Sequence, residues 1–424
     1  MSRLVAWYDA HRGPRTIVIG WFITRLLMLV ILTSFERFVV GDVFYYQHKI
    51  NALFTVGLDR TLLEYPTPVV WILWLPYGAS FGNRVGYLVA FVIFMLVLDA
   101  LFTYALWRAT GRRHNTAIDF WLIFVPLIGP LSYLRFDMLP AVLAGGALLA
   151  ARRKPWVTGA LTGLGAAIKL WPALLIGAFL SYRADRRPAG ITFVVVGFGL
   201  ALISLIFGGW ARLISPLTWQ SNRGLQIESI WATPLMLARA VRPEHWLVDI
   251  SQYQAYEIFG PGVAAWITIS NVATVLGLVL IILLTVRAFR YDGSTPVAIG
   301  FVIVATVAIM TITNKTLSPQ YLLWLGGPMA GLLVLRPHAS PEEQTPINRM
   351  AGQLLILALL TQLVYPLFYD GYLGRQGEMM IILSTIVTAV RNIALMFFTV
   401  ESCWLAWRML AAPARDRTAL THQE

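Results

Sequence analysis

The chain predicts an all-α integral membrane protein: a bundle of about twelve transmembrane helices, with further helices at the interface in its first outer loop. Three observations lead there. Of 424 residues, 58% are hydrophobic and only 13% charged, against about 25% charged in soluble domains. Apolar runs of roughly 17 to 25 residues recur, the length that crosses a bilayer as a helix. Basic residues collect between those runs, as they do on the cytoplasmic side of polytopic proteins. These clusters are Arg3–Arg15, Arg108–Arg113, Arg152–Lys154, Arg183–Arg187, Arg287–Arg290, Arg336–Arg349 and Arg408–Arg417.

Between consecutive clusters the chain must leave and return. A first span over 17–40 leads out and a second over 86–108 leads back. The stretch Pro66–Tyr77 between them is short and proline-punctuated. Its Trp71, Trp74 and Tyr77 suit a helix lying at the outer interface. Two hairpins of short spans follow, 118–133 with 138–151 and 156–168 with 170–182, each turning at a polar group. Spans near 189–208, 262–286, 294–313, 320–335, 350–368 and 378–407 complete the set. Residues 1–424 read as one domain with both termini cytoplasmic, an uncleaved signal anchor at the start and a tail over 409–424. The outer loops, about 41–85 and 209–260, form the expected functional face, and the second carries Trp210, Trp219, Trp231 and Trp246.

The net charge of +12 follows from the positive-inside distribution and does not imply nucleic acid. The single cysteine, Cys403, excludes an internal disulfide. Six scattered histidines and the absence of Asp-X-Asp give no metal cluster, and no Gly-rich nucleotide loop is present. No cofactor is therefore expected.

On this topology Asp42, Glu64, Arg135, Asp137, Lys169, Arg223, Glu228, Lys315 and Asp370 all fall at the outer face. Loop solubility explains some of them. It explains Arg135, Asp137 and Lys169 poorly, because a lone charge at the turn of an apolar hairpin is costly. Arg135 with Asp137, and Arg223 with Glu228, are candidate ion pairs. Arg25, inside the first span, reads as packed against Asp99 or a backbone carbonyl. One exposed carboxylate, several cations and tryptophan-rich loops suit transfer of a sugar from a lipid-linked phosphate. The carboxylate takes a proton from the attacking hydroxyl, the cations hold the departing phosphate, and aromatic faces hold sugar rings.

Several stretches carry a resemblance. They are Gly41-Asp42 with Tyr45-Tyr46, Glu64-Tyr65-Pro66-Thr67-Pro68, Arg135-Phe136-Asp137, Gly159–Pro172, Trp219–Glu228, and Ser318-Pro319-Gln320-Tyr321. In that order, over about 15–370, they resemble the GT-C glycosyltransferases, and more closely glycosyltransferase family 87, actinobacterial enzymes using polyprenyl-phosphate-mannose. The resemblance implies a metal-independent, inverting transfer at the extracytoplasmic face of the cell membrane, onto a cell-envelope glycolipid or polysaccharide. It implies Asp42 as base, and Lys169, Arg223, Arg135 and Lys315 around the donor phosphate. Tyr45, Tyr46, His48, Glu64, Asp137, Trp219, Gln226, Glu228, Gln320 and Tyr321 are the candidate substrate contacts. Asp137 is the alternative base, or an orienter of Arg135. A polyprenyl-phosphate-arabinose donor keeps the same fold. A lipid or sugar transporter is the reading from another class, although no internal repeat is evident.

Overall fold

The computed structural model describes residues 13–34, 37–182, 186–291 and 295–410. The N-terminal basic run before Gly13, and all of the 409–424 tail beyond Leu410, lie outside them. Among the described residues, seven helices are long and apolar enough to cross a membrane: Pro14–Ser34, Arg84–Ala109, Arg186–Asn222, Val263–Arg290, Pro296–Thr313, Pro341–Leu367 and Glu378–Met409. Thr116–Ile128, Met138–Ala150, Pro155–Ile168, Leu175–Ser181 and Leu322–Leu335 are shorter. At 1.5 Å per residue a 13-residue helix reaches only about 20 Å, well short of a bilayer core of about 30 Å. The short hairpins expected from the sequence are therefore present.

Their packing explains the apolar patterns. Pro14–Ser34 exposes Val18, Phe22, Leu26 and Leu29 and buries Ile17, Arg25 and Met28. Such a face is tolerable only against lipid. Pro296–Thr313 and Leu322–Leu335 are apolar all round and buried along nearly their whole length, as central helices are. They approach their neighbours through small residues. A Cβ on Gly327 would lie 2.0 Å from the Ala141 carbonyl oxygen; Pro155–Ile168 meets Arg186–Asn222 in the same way, a Cβ on its Gly159 lying 1.9 Å from the Ala189 carbonyl oxygen.

The first buried charge behaves as expected. Arg25 forks onto Asp99, with Nε to Oδ2 at 2.9 Å and Nη2 to Oδ1 at 3.0 Å, and its Nη1 donates to the Leu122 carbonyl. Asp99 also accepts from Trp21, Trp121 and Tyr133. This network ties three helices to the turn that carries Arg135.

Three expectations need revision. The first span does not run as one helix to Val40: its helix is described over Pro14–Ser34, and Arg37–Val40 is a 3-10 turn. The stretch after it, expected to open the first outer loop, is the helix Gly41–Val56. Val43, Tyr46 and Ile50 are its buried positions, a helical spacing that anchors it on the bundle. The 209–260 stretch is also ordered. The preceding helix continues to Asn222 through a break at Gly209, where φ is 73°. Beyond it come the helix Thr233–Val241 and a small antiparallel hairpin that no periodicity announced, Leu247–Ile250 with Tyr256–Phe259. The interfacial candidate after Tyr65 is the helix Thr67–Ala79.

Candidate functional site

The charges of interest sit where helices break. Arg135 ends the turn Leu131–Leu134 in extended conformation, and Asp137 immediately precedes Met138–Ala150. Lys169 follows Pro155–Ile168, again extended. Lys315 comes two residues after the helix ending at Thr313. A short helix that stops before the bilayer surface leaves room above its end, and side chains at that end reach into it. The room is a cavity of about 540 Å³. Its wall includes Asp42, Tyr45, Glu64, Arg135, Lys169, Trp219, Arg223, Gln226, Glu228, Gln320 and Tyr321, all singled out from the sequence.

The pairing differs from the expected one. Arg135 pairs with Asp42, not with Asp137. Asp137 lies beneath Lys169, accepting from its Nζ at 2.5 Å and from Trp324 Nε1 at 2.7 Å. Arg135 is extended (φ −134°, ψ 147°) while Asp137 is already helical (φ −65°, ψ −18°), so the strand relation that would put residues two apart on one side is broken and the two side chains diverge. Asp137 orients Lys169 and does not reach the cavity wall. Arg223 faces Glu257 rather than Glu228, and Glu228 lies against Arg391, with Nη2 to Oε2 at 3.6 Å.

Lys169 is held by rings as well as by its carboxylate. Its Nζ lies 4.7 Å from the Trp324 ring centroid, 5.1 Å from Phe136 and 5.2 Å from Tyr321. Trp324 is stacked between Tyr321 at 3.9 Å and Trp171 at 5.3 Å. This box fixes the ammonium at the cavity wall, and each desolvated cation–π contact adds to the hold. On another wall the Tyr45 hydroxyl donates to Glu64 at 2.7 Å.

The third group centres on Glu257, which is buried in the hairpin. It accepts from the Gly224 amide at 3.1 Å and faces Arg223 and Lys315. Burial raises its carboxyl above the usual range against the pull of Arg223. Burial likewise lowers Lys315, with Glu257 opposing. Lys315 donates to the Ser221 carbonyl at 2.8 Å and is not on the cavity wall. Gln226 Nε2 donates to the Ser318 hydroxyl at 3.3 Å.

Two further candidates lie off the wall. Tyr46 is buried against Phe91 and Phe136. His48 is exposed on the far side of its helix. Six residues along a helix is about 240° around the axis from Asp42, whereas Tyr45, three residues on, shares its face. Other wall residues escaped the sequence reading: Trp171, Tyr253, Tyr256, Trp324, Tyr365 and Tyr369. So did the supports Arg391 and Arg212. Arg212 donates to the carbonyls of Leu58, Leu62 and Tyr65 and so clamps the first outer segment. A lone arginine in an apolar run is the signal that found Arg25, and it applies equally to these two. Among the described residues no group of three His, Cys, Asp or Glu side chains is placed to hold a metal ion.

Fold and cavity together define a polytopic helical membrane protein whose charged chamber opens where short helices end. Residues 65–267 match the model of Glycosyltransferase family 87, so the chain is like that family over a little under half of its length. Two solved structures are similar in arrangement. One is ArnT from Cupriavidus metallidurans bound to undecaprenyl phosphate, at 10% identity and a TM-score of 0.45, covering 95% of this chain and 78% of that one. The other is the same protein in the apo state, at 10% identity and a TM-score of 0.42, covering 88% and 77%. Comparison with curated proteins gives no match.

Proposed function

We propose that this protein is a membrane glycosyltransferase that moves a sugar, mannose by the family resemblance, from a polyprenyl-phosphate donor to a hydroxyl of a cell-envelope glycolipid or polysaccharide. The observation that carries the reading is the Asp42–Arg135 pair on the wall of a cavity that Lys169 and Arg223 also line. A carboxylate among cations is what this reaction needs. Arg135 contacts Oδ1 of Asp42, and Oδ2 is the atom assigned to the incoming hydroxyl. As Asp42 takes that proton, the hydroxyl oxygen attacks the anomeric carbon. The bond from that carbon to the phosphate oxygen breaks, and its electron pair leaves with the phosphate. Attack opposite the leaving group inverts the anomeric centre. The departing phosphate needs charge stabilisation rather than a proton, and Lys169 and Arg223 supply it from fixed positions. Trp219, on the cavity wall, offers a face for sugar or prenyl carbons. No step requires a metal ion.

The extracytoplasmic placement rests on chain direction. The turns bearing Arg135 and Lys169 lie one helix away from the basic stretches Arg108–Arg113 and Arg152–Lys154, which the positive-inside rule assigns to the cytoplasm.

The test is transfer in nanodiscs from radiolabelled polyprenyl-phosphate-mannose and polyprenyl-phosphate-arabinose, with chelator present, for wild type and Asp42→Asn. General bases contribute about 10²- to 10⁴-fold, so Asp42→Asn should lose at least a hundredfold. Chelator should change nothing. Transfer from the arabinose donor alone would revise the sugar. Full activity of Asp42→Asn would remove Asp42 as base. No transfer from either donor would refute the reading.

A further inference from the structure

Two fully buried arginine–carboxylate pairs occur among the described residues, and they are built differently. Arg25–Asp99 is bidentate at 2.9 and 3.0 Å, with three more donors on the carboxylate. It lies away from the cavity and has the form of a structural pin. Glu228 is on the cavity wall. Its Oε2 and Arg391 Nη2 stand 3.6 Å apart, beyond hydrogen-bond length. Neither Glu228 Oε2 nor Arg391 Nε and Nη1 has a hydrogen-bond partner among the described residues, although Glu228 is 1% and Arg391 0% exposed. Leaving buried charged groups this open costs far more than it returns if the pair serves stability alone.

The backbone beneath Glu228 is nevertheless held firmly. Arg391 and Asn392 donate to its carbonyl at 3.0 and 3.2 Å, and Tyr372 donates to that of Ile227 at 2.7 Å. The groups facing the carboxyl are Arg391 from Glu378–Met409, Arg135 from the hairpin turn and the Tyr369 hydroxyl from Tyr369–Tyr372. Burial pushes the carboxyl up to about 7, against the pull of Arg391 and Arg135. Near neutral pH the carboxyl is thus fixed in place by a hydrogen bond from Tyr369, with Oε2 left open to accept or donate a further one.

We propose that Glu228 binds a hydroxyl of the transferred sugar and is the residue that reads the donor. The inference rests on the function proposed above. The donor rather than the acceptor is indicated by neighbourhood. Glu228 follows Arg223 and Gln226 on one non-helical segment of the wall. A donor whose phosphate is held at Arg223 would extend its sugar along this segment toward Glu228, while Asp42 approaches from another element.

The test is binding, measured in nanodiscs without acceptor. The probes are short-chain polyprenyl phosphate, its mannosyl and arabinosyl esters, and the single-deoxy series of the preferred ester. Wild type should bind the sugar ester more tightly than the bare phosphate, and one deoxy position should weaken it about 10- to 100-fold, the worth of a hydrogen bond to a charged group. Glu228→Gln should bind bare phosphate as wild type does and lose discrimination at that position alone. Glu228→Asp, which keeps the charge beside Arg391 and draws the carboxylate back by one methylene, should lose it too. Wild-type discrimination in either folded variant overturns the proposal. Failure of both to fold, judged by gel filtration and melting, would make Glu228 a structural pin and overturn it as well. Wild type that binds no polyprenyl phosphate would instead fail the underlying function.

Discussion

Asp99→Asn tests whether the network around Arg25 holds the site from a distance. The carboxylate is fully buried and receives five hydrogen bonds: two from Arg25 and one each from Trp21, Trp121 and Tyr133. Oδ1 takes Arg25 Nη2 and Trp121, while Oδ2 takes Arg25 Nε, Trp21 and Tyr133. An amide has one acceptor oxygen, so its NH₂ must face at least two donors. Arg25 then keeps its charge with no counter-ion, left with neutral acceptors at the Leu122 carbonyl, 3.2 Å, and the Thr24 hydroxyl, 2.9 Å. Breaking one side of a buried pair costs about 3–5 kcal/mol, and the stranded donors keep the figure at the upper end. Tyr133 is two residues from Arg135, so the loss should reach the cavity and lower transfer as well. The assay is thermal and denaturant unfolding in detergent, with transfer measured on the folded fraction. Arg25→Met combined with Asp99→Leu should recover only part of the stability, because it strands no charge but still leaves Trp21, Trp121 and Tyr133 without their acceptor. A single variant within about 1 kcal/mol of wild type, or a double variant as unstable as the single, would refute the account.

Asp137→Asn should lower kcat/KM about tenfold and cost about 1–3 kcal/mol of stability, because Oδ1 can still accept from Lys169 and Trp324 but the charge that holds and neutralises the ammonium is gone. Transfer equal to wild type would remove Asp137 as the positioning partner of Lys169. Gly327→Ala should destabilise by about 1–3 kcal/mol, since its Cβ would meet the Ala141 carbonyl oxygen at 2.0 Å. Gly352→Ala, with nothing within 4 Å, is the matched control and should be neutral or slightly stabilising in an unfolding titration.

The sequence displayed the helices and the charged residues well and the pairings badly, for physical reasons. A carboxylate or ammonium interrupting an apolar run stands out because its cost in a membrane is high, and Asp42, Arg135 and Lys169 were found that way. Its partner arrives from an element folded against it. Arg135 meets Asp42 and Lys169 meets Asp137 across different helices, so the short-range pairs Arg135/Asp137 and Arg223/Glu228 were the wrong ones. The hairpin bearing Glu257 was invisible because each strand has four residues, too few for an alternating pattern to stand out from an interfacial loop. The grouping of residues within Gly41–Val56 has a simpler explanation. Asp42, Tyr45, Tyr46 and His48 look like one cluster in a loop, but helical geometry sends His48 outward and Tyr46 inward.

The short hairpins explain why the charges are affordable at all. Arg135, Asp137 and Lys169 sit beside helix ends, where backbone groups lie open and a 13-residue helix stops about 10 Å below the far side of the core. A cavity there admits water, so a cation on its wall escapes the full cost of mid-bilayer burial. The same opening sets what the cations can do. Lys169 is buffered by Asp137 and three rings, and Arg135 by Asp42, so neither is free to leave when the cavity empties. An anion entering between them meets charges that are already oriented and need no reorganisation, the condition under which fixed cations stabilise a leaving phosphate best. Replacing Lys169 by Arg should therefore not restore function to Lys169→Met. The box formed by Phe136, Tyr321 and Trp324 is built around a compact ammonium, and a planar guanidinium fits neither its depth nor its point-charge geometry.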